Sequence, residues 1–221
     1  MTPTVTADRL HVRESVEPAV FIVNADESAR AWIEATVISA GLHAISFNSA
    51  AELLNCFRPD TAACAILDLV LPDASGFELQ DNLARAGASI LFVTREHCIP
   101  SCVKAVRAGA VDFLIMPCEA AQVVRALRHA VRQALALWAR HEHVGELRSR
   151  YEQLTPRERE IFALVSSGLL NKQIAQRLVI SEITVQIHRS RVMKKMSARS
   201  FASLVRMADA LQPPRPEVWA H

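Results

Sequence analysis

No apolar run in this chain approaches the roughly 20 residues needed to cross a bilayer, which excludes a membrane-spanning helix. The first seventeen residues are polar and charged and lack the apolar core of an export signal, so a cytoplasmic protein is expected. Cysteine is sparse. Its five positions, Cys56, Cys64, Cys98, Cys102 and Cys118, are odd in number and without metal-finger spacing, which points to a reducing compartment. His129, His141 and His143 show no metal-ligand geometry and read as residues of a solvated face. There is no nucleophile elbow, no phosphate loop and no metal-ligand cluster, so the sequence gives no ground for an enzyme and calls for no cofactor or metal.

What the chain does have is a division of charge. Residues 1 to 118 carry 8 Lys+Arg against 14 Asp+Glu, giving −6, and residues 119 to 221 carry 17 against 9, giving +8. A basic second half suits a polyanion and an acidic first half avoids one. A length of 221 residues also favours two domains.

The basic half opens with Thr155-Pro156-Arg157-Glu158: a capping hydroxyl, a proline at the first helical position and a glutamate three residues after the cap. Ile161, Leu164 and Val165 recur at helical spacing up to Gly168, a C-terminal stop, and Asn171 is expected to cap a second short helix with Ile174, Ala175 and Leu178. Ser181 caps a third, with Thr184 in its first turn. At about 100° per residue, Val185, Val192 and Met196 share a buried face, and Ile183, Gln186, Ile187, Ser190 and Lys194 lie opposite. An exposed stripe of an amide, a hydroxyl, a lysine and branched apolar groups suits the major groove of double-stranded DNA. Arg189 and Arg191 flank it and, with Lys172, are placed to reach phosphates. One basic helix alone would read equally well as an ordinary solvated face; three ordered helices favour DNA.

Leu154-Thr155-Pro156-Arg157-Glu158-Arg159-Glu160, Asn171 to Ala175, Ser181 to His188 and Val192 to Met196 resemble the helix-turn-helix output domain of LuxR/FixJ-type regulators over about sixty residues. The resemblance implies a four-helix domain whose last helix, near Ser200 to Leu211, pairs two copies on a two-fold DNA site, with Leu204 and Met207 as candidate dimer contacts or core residues.

The acidic half alternates strands with helices. Strands are expected at Ala19 to Val23, His43 to Phe47, Cys64 to Leu67, Ile90 to Val93 and Asp112 to Ile115. Helices are expected at Glu27 to Ala40 and around Ala50 to Cys56, Gly76 to Ala86 and Cys98 to Ala108. This predicts an α/β fold, a doubly wound five-stranded parallel sheet of flavodoxin-like type, with functional groups at the carboxyl ends of the strands, followed by the small all-α helix-turn-helix domain. Asp68, Thr94, Met116-Pro117 and the run Ala105 to Phe113 resemble the receiver domain of two-component response regulators, over roughly residues 18 to 135. By that resemblance Asp68 is the phosphoacceptor, Thr94 the switch hydroxyl, Phe113 the switch aromatic and a sensor kinase the partner. Where the family has two magnesium-binding acids this chain has Asn24 and Ala25, and where it has a lysine this chain has Met116. Losing those charges removes most of the electrostatic help that phosphoryl transfer needs, so ordinary phosphorylation of Asp68 is expected to be absent or very slow. Asp26, two residues beyond Asn24, has two readings, a single magnesium ligand or the N-cap of the first helix, and the cap is the favoured one.

Control then has three readings: a constitutive regulator that uses its first domain for dimerisation, a ligand or protein in the altered pocket, or thiol chemistry among Cys98, Cys102 and Cys118. A phosphorylated regulator acting through Asp68 and a non-DNA adaptor that sequesters a kinase are the alternatives for the whole protein. Ala120 to Tyr151 contains Gly145 as its one glycine and should be a long helix. Its Val124, Leu127, Val131, Leu135 and Trp138 form either a coiled-coil dimer stripe or a face packed on its own sheet through about Val131, solvated beyond. The expected divisions are a disordered tail at 1–17, a receiver-like domain at 18–135, a helical linker at 136–150, a helix-turn-helix domain at 151–212 and a tail at 213–221.

Overall fold

A computed structural model describes residues 17–58 and 61–211; the tails expected at 1–17 and 213–221 lie, but for Glu17, outside them. The chain divides into two compact units, residues 1–139 and 140–221.

In the first unit β1 (Ala19–Val23), β2 (His43–Phe47), β3 (Ala63–Leu67), β4 (Ser89–Thr94) and β5 (Asp112–Ile115) form one sheet in the order β2-β1-β3-β4-β5. Every neighbouring pair is parallel. Successive side chains point to opposite faces of a strand, and the core divides accordingly. Phe21, Val23, Ala65, Leu67, Ile90 and Phe92 pack on one side with α2 (Ala50–Cys56), α3 (Gly76–Arg85) and α4 (Ile99–Arg107). Val20, Ile22, Cys64, Ile66, Leu91 and Val93 face α1 (Glu27–Ser39) and α5 (Ala120–Glu152) on the other. Both faces of the sheet being covered, β3 and β4 are buried along their whole length, as parallel strands between two helical layers must be.

The expected strands and helices are all present, with ends shifted by a residue or so where caps decide. Cys98 and Ala108 flank α4 rather than belonging to it. The apolar stripe of α5 packs on its own sheet: Leu127 and Val131 are buried there, and Leu135 and Trp138 rest against the same core, so the packed face runs a further two turns beyond Val131. Val124, Leu135 and Trp138 stay partly exposed on that face. No helix among the described residues is long and apolar enough to cross a membrane.

The second unit packs α6 (Pro156–Ser166), α7 (Asn171–Leu178), α8 (Glu182–Lys195) and α9 (Phe201–Leu211) around Ile161, Phe162, Leu164, Val165, Ile174, Val185, Val192, Met196 and Leu204. The Thr155 capping box of α6 forms in full, Glu158 N–H donating to the threonine hydroxyl and Thr155 N–H to Glu158 Oε2. Asn171 does not cap α7. Leu170 has the extended backbone of the cap and its N–H donates to Gln173 Oε1 (2.8 Å), which makes Asn171 the first helical residue and frees its amide. Leu204 is 0% exposed and packs in the core of its own unit. Met207 packs half-buried against the same core.

Candidate functional site

Two regions gather the polar groups expected to act. The first lies at the carboxyl ends of β1, β3 and β4. Register places Val23 beside Leu67 and Leu67 beside Phe92, so Asn24, Asp68 and the turn after Thr94 emerge together. Asp68 N–H donates to the Val23 carbonyl (3.0 Å), and its carboxylate accepts from Leu69 N–H (2.7 Å). Gly76, at the head of α3, touches this turn so closely that a Cβ there would sit 2.2 Å from the Asp68 carbonyl oxygen.

Asn24 is buried and its side-chain oxygen accepts from Asp26 N–H (2.8 Å). Ala25 is exposed and offers no ligand atom. Asp26 caps α1, accepting from Ala29 N–H (2.9 Å) and from the Ser28 hydroxyl (2.5 Å) and forming an ion pair with Arg95, whose guanidinium also donates to Ser28 Oγ (3.3 Å). The Ser28 hydroxyl, the Ala29 N–H and the Arg95 charge together hold the Asp26 carboxyl down to about 2. The reading of Asp26 as a cap is therefore what the geometry gives.

Thr94 is fully buried, its hydroxyl accepting from Glu96 N–H (3.2 Å). Phe113 is buried too, its ring 5.7 Å from that of Phe92. Met116 rests against the α5 side of the core, and its N–H donates to the Thr94 carbonyl. The turn that carries Asp68 is clasped from outside by Asp73, whose two oxygens accept from the N–H groups of Ala50 and Ala51 at the head of α2 (3.0 and 2.7 Å). Those bonds hold its carboxyl below the usual range.

Among the described residues no group of three or more His, Cys, Asp or Glu is placed to hold a metal. All five cysteines are free. Burial pushes the Cys64 thiol up to about 12, and raises Cys118, while hydrogen bonding at Ser101 lowers Cys98.

The second region is the surface of α8. Ile183, Gln186, Ile187, Ser190 and Lys194 are exposed along one side, and Val185, Val192 and Met196 are buried on the other, as the 100° rotation requires. Arg191 and Lys172 are exposed beside the stripe. Thr184 is partly withdrawn: its hydroxyl shares a hydrogen bond with that of the cap residue Ser181 (2.8 Å). Arg189 lies on the edge of the buried face, its Nη1 donating to Asn171 Oδ1 (3.0 Å) and its guanidinium 5.4 Å from the Phe201 ring centre. An open cleft of about 570 Å³ runs between α7 and the start of α8, lined by Lys172, Gln176, Val179 and Ser181 among others. The last turn of α8 is tied down by Lys195, which donates to Glu158 Oε2 (2.7 Å) and the Gln153 carbonyl (3.1 Å).

Arg95, Ser28, Asp73, Asn171 and Phe201 were not singled out by the sequence as site residues. Arg95 meets Asp26 across 69 positions and Asp73 meets Ala50 across 23, separations for which a single sequence carries no local signal. Ser28, two residues after a capping aspartate, did carry one.

A parallel five-stranded α/β unit followed by a helix-turn-helix unit defines the two-domain response regulators. Residues 20–128 match the model of the response regulator receiver domain, and residues 152–208 that of bacterial regulatory proteins of the luxR family. Nodulation protein W of Bradyrhizobium diazoefficiens is 40% identical over 203 residues, 91% of this chain and 89% of its own. Transcriptional regulatory protein FixJ of Rhizobium meliloti is 36% identical over 192 residues, 86% of this chain and 94% of its own. The solved structure of the response regulator StyR superposes with a TM-score of 0.72 at 35% identity, covering 87% of this chain and 98% of that one. The chain belongs to the NarL/FixJ response regulators, DNA-binding transcription regulators of the LuxR family.

Proposed function

We propose that this regulator binds a two-fold DNA site as a homodimer and that its receiver signals without ordinary aspartyl phosphorylation. The observation that carries the second part is the set of groups around Asp68. A buried amide at Asn24, a methyl at Ala25 and a thioether at Met116 stand where the family has two acids and an ammonium group, and the Asp26 carboxylate is already engaged by Ala29, Ser28 and Arg95. Magnesium takes hard oxygen ligands, usually carboxylates, and these residues do not fit it. Without that ion or a lysine, most of the charge compensation for a transferring phosphoryl group is lost, and the Arg95 guanidinium is already paired with Asp26.

Incubation of the full chain with a small-molecule phosphodonor and magnesium, followed by intact-mass spectrometry, tests this. Less than a trace of adduct is the expected outcome; stoichiometric modification at Asp68 would sink the proposal. The second reading, phosphorylation at Asp68 by a sensor kinase, is favoured by the presence of Asp68 and Thr94 at the ends of adjacent strands, and that same experiment decides between the two.

On DNA, Gln186, Ile187, Ser190 and Lys194 form the stripe that faces the groove, Thr184 orders the head of α8, and Lys172, Arg189 and Arg191 meet phosphates. The working boundaries are a receiver at 18–135, a helical linker at 136–150 and a DNA-binding domain at 151–212. Five free thiols are in keeping with a cytoplasmic location.

A further inference from the structure

Arg189 occupies an unusual position for a cation on a DNA-reading helix. It projects from the edge of the buried face of α8, about 40° round from Val185, and its guanidinium is gripped by two residues that begin other helices. Asn171 opens α7 and accepts from Nη1 at 3.0 Å; Phe201 opens α9 and lies 5.4 Å under the guanidinium. A cation over a ring face is held without using its N–H groups, and of the five N–H donors of Arg189 the bond to Asn171 uses one. Phe201 remains 42% exposed, so the stack lies at the surface and not in the core. Exposed Lys172 follows Asn171 directly, and the first N–H groups of α7 add their partial positive charge beside it.

We infer that Asn171, Arg189 and Phe201 form a preorganised clamp for one DNA phosphate, in which Arg189 makes the contact and Asn171 and Phe201 are positioning residues. This deepens the DNA-binding assignment and rests on it. An arginine free in solution loses rotamer freedom when it binds a phosphate; one already held by a stack and a hydrogen bond loses less. Charge and placement are thereby separable. The charge sets how many counterions DNA binding releases, and the placement sets the affinity at a fixed salt concentration.

The test uses the full chain and a labelled random-sequence DNA duplex, with affinity measured across a series of salt concentrations and folding checked by thermal melting. Arg189→Ala is expected to weaken binding at low salt roughly tenfold and to reduce the magnitude of the salt slope by about 1. Phe201→Ala and Asn171→Ala keep the charge, so each should weaken binding a few-fold while leaving the slope as in the unaltered protein. Arg189→Lys should behave like Phe201→Ala, because it retains the charge and loses the planar fork. An unaltered slope in Arg189→Ala would overturn the clamp and leave Arg189 as a structural tie between helices. Full affinity in both Phe201→Ala and Asn171→Ala would overturn the positioning roles. If Arg189→Ala loses its melting transition, Arg189→Gln carries the slope test, since its planar amide can still donate to Asn171. Failure of the unaltered chain to bind the duplex at low salt would count against the DNA assignment itself, and is distinct from either result.

Discussion

Val179 ends α7 with φ at 53°, in the left-handed region that β-branched side chains avoid, and its side chain is 90% exposed. Nothing packs on it to offset that backbone cost, which is about 1–2 kcal/mol for an L-residue. Glycine reaches the same conformation freely, at the expense of a more flexible unfolded chain. Val179→Gly should therefore raise the stability of the second unit by about 1 kcal/mol, read as a higher urea midpoint for the isolated helical transition. An unchanged or lower midpoint would mean that the turn is held by contacts the valine itself supplies. Nothing in the local sequence Arg177-Leu178-Val179-Ile180 announces a left-handed residue. A valine there reads as one more apolar position, which is why this strain was illegible before the backbone was known.

At the scale of elements, the junction between β3 and α3 leaves no room for an added side chain. The head of α3 is brought against the turn after Asp68 by Gly76, whose N–H donates to the Leu69 carbonyl (2.9 Å). A methyl group at 76 would meet backbone and not a flexible side chain, so it can be relieved only by moving the helix or the turn. Gly76→Ala should destabilise the protein by about 2 kcal/mol or more, measured by chemical denaturation; retention of the wild-type midpoint would show that the junction yields easily. The elements themselves were largely legible. Alternating strands and amphipathic helices gave all five strands, because each segment's burial pattern is written in its own residues. Partners were not. The stripe from Leu127 to Trp138 displays an apolar face in sequence without saying whether a neighbouring helix or the protein's own sheet covers it, and Leu204 looks the same whether it meets a second copy or its own core. The Asn171 cap was misread for a related reason: asparagine favours N-caps, but the extended backbone falls one residue earlier, at Leu170.

For the whole molecule, acid is the informative perturbation, because three carboxylates in the two units are held ionised by specific partners. Asp26 is held to about 2, with Ser28 the foremost cause; Asp73 is lowered by Ala51 and Ala50; Glu158 is lowered by Lys195 and the Thr155 backbone. A group whose carboxyl is lower folded than unfolded adds stability that is fully present above its unfolded value and is lost as pH falls through its folded one. The ordinary values are 3.8 for the aspartates and 4.5 for the glutamate, so the loss should begin near pH 4.5 and extend toward about 2. Urea midpoints measured at about pH 6 and about pH 3 should show the decline in both units, and Glu158→Gln should flatten it in the second. A midpoint in the second unit that is insensitive to acid would mean that the buried Glu158, though bonded to Lys195, contributes nothing to folding.

Helix α8 is fastened at its middle and in its last turn by residues outside α7 and α8: Arg189 to Phe201 at the head of α9, and Lys195 to Glu158 in the first turn of α6 and to Gln153 just ahead of it. A chimaera that moved α7 and α8 alone onto another scaffold would carry the exposed stripe of α8 but leave these moorings behind. The smallest piece that keeps α8 in its native setting is thus the whole four-helix unit.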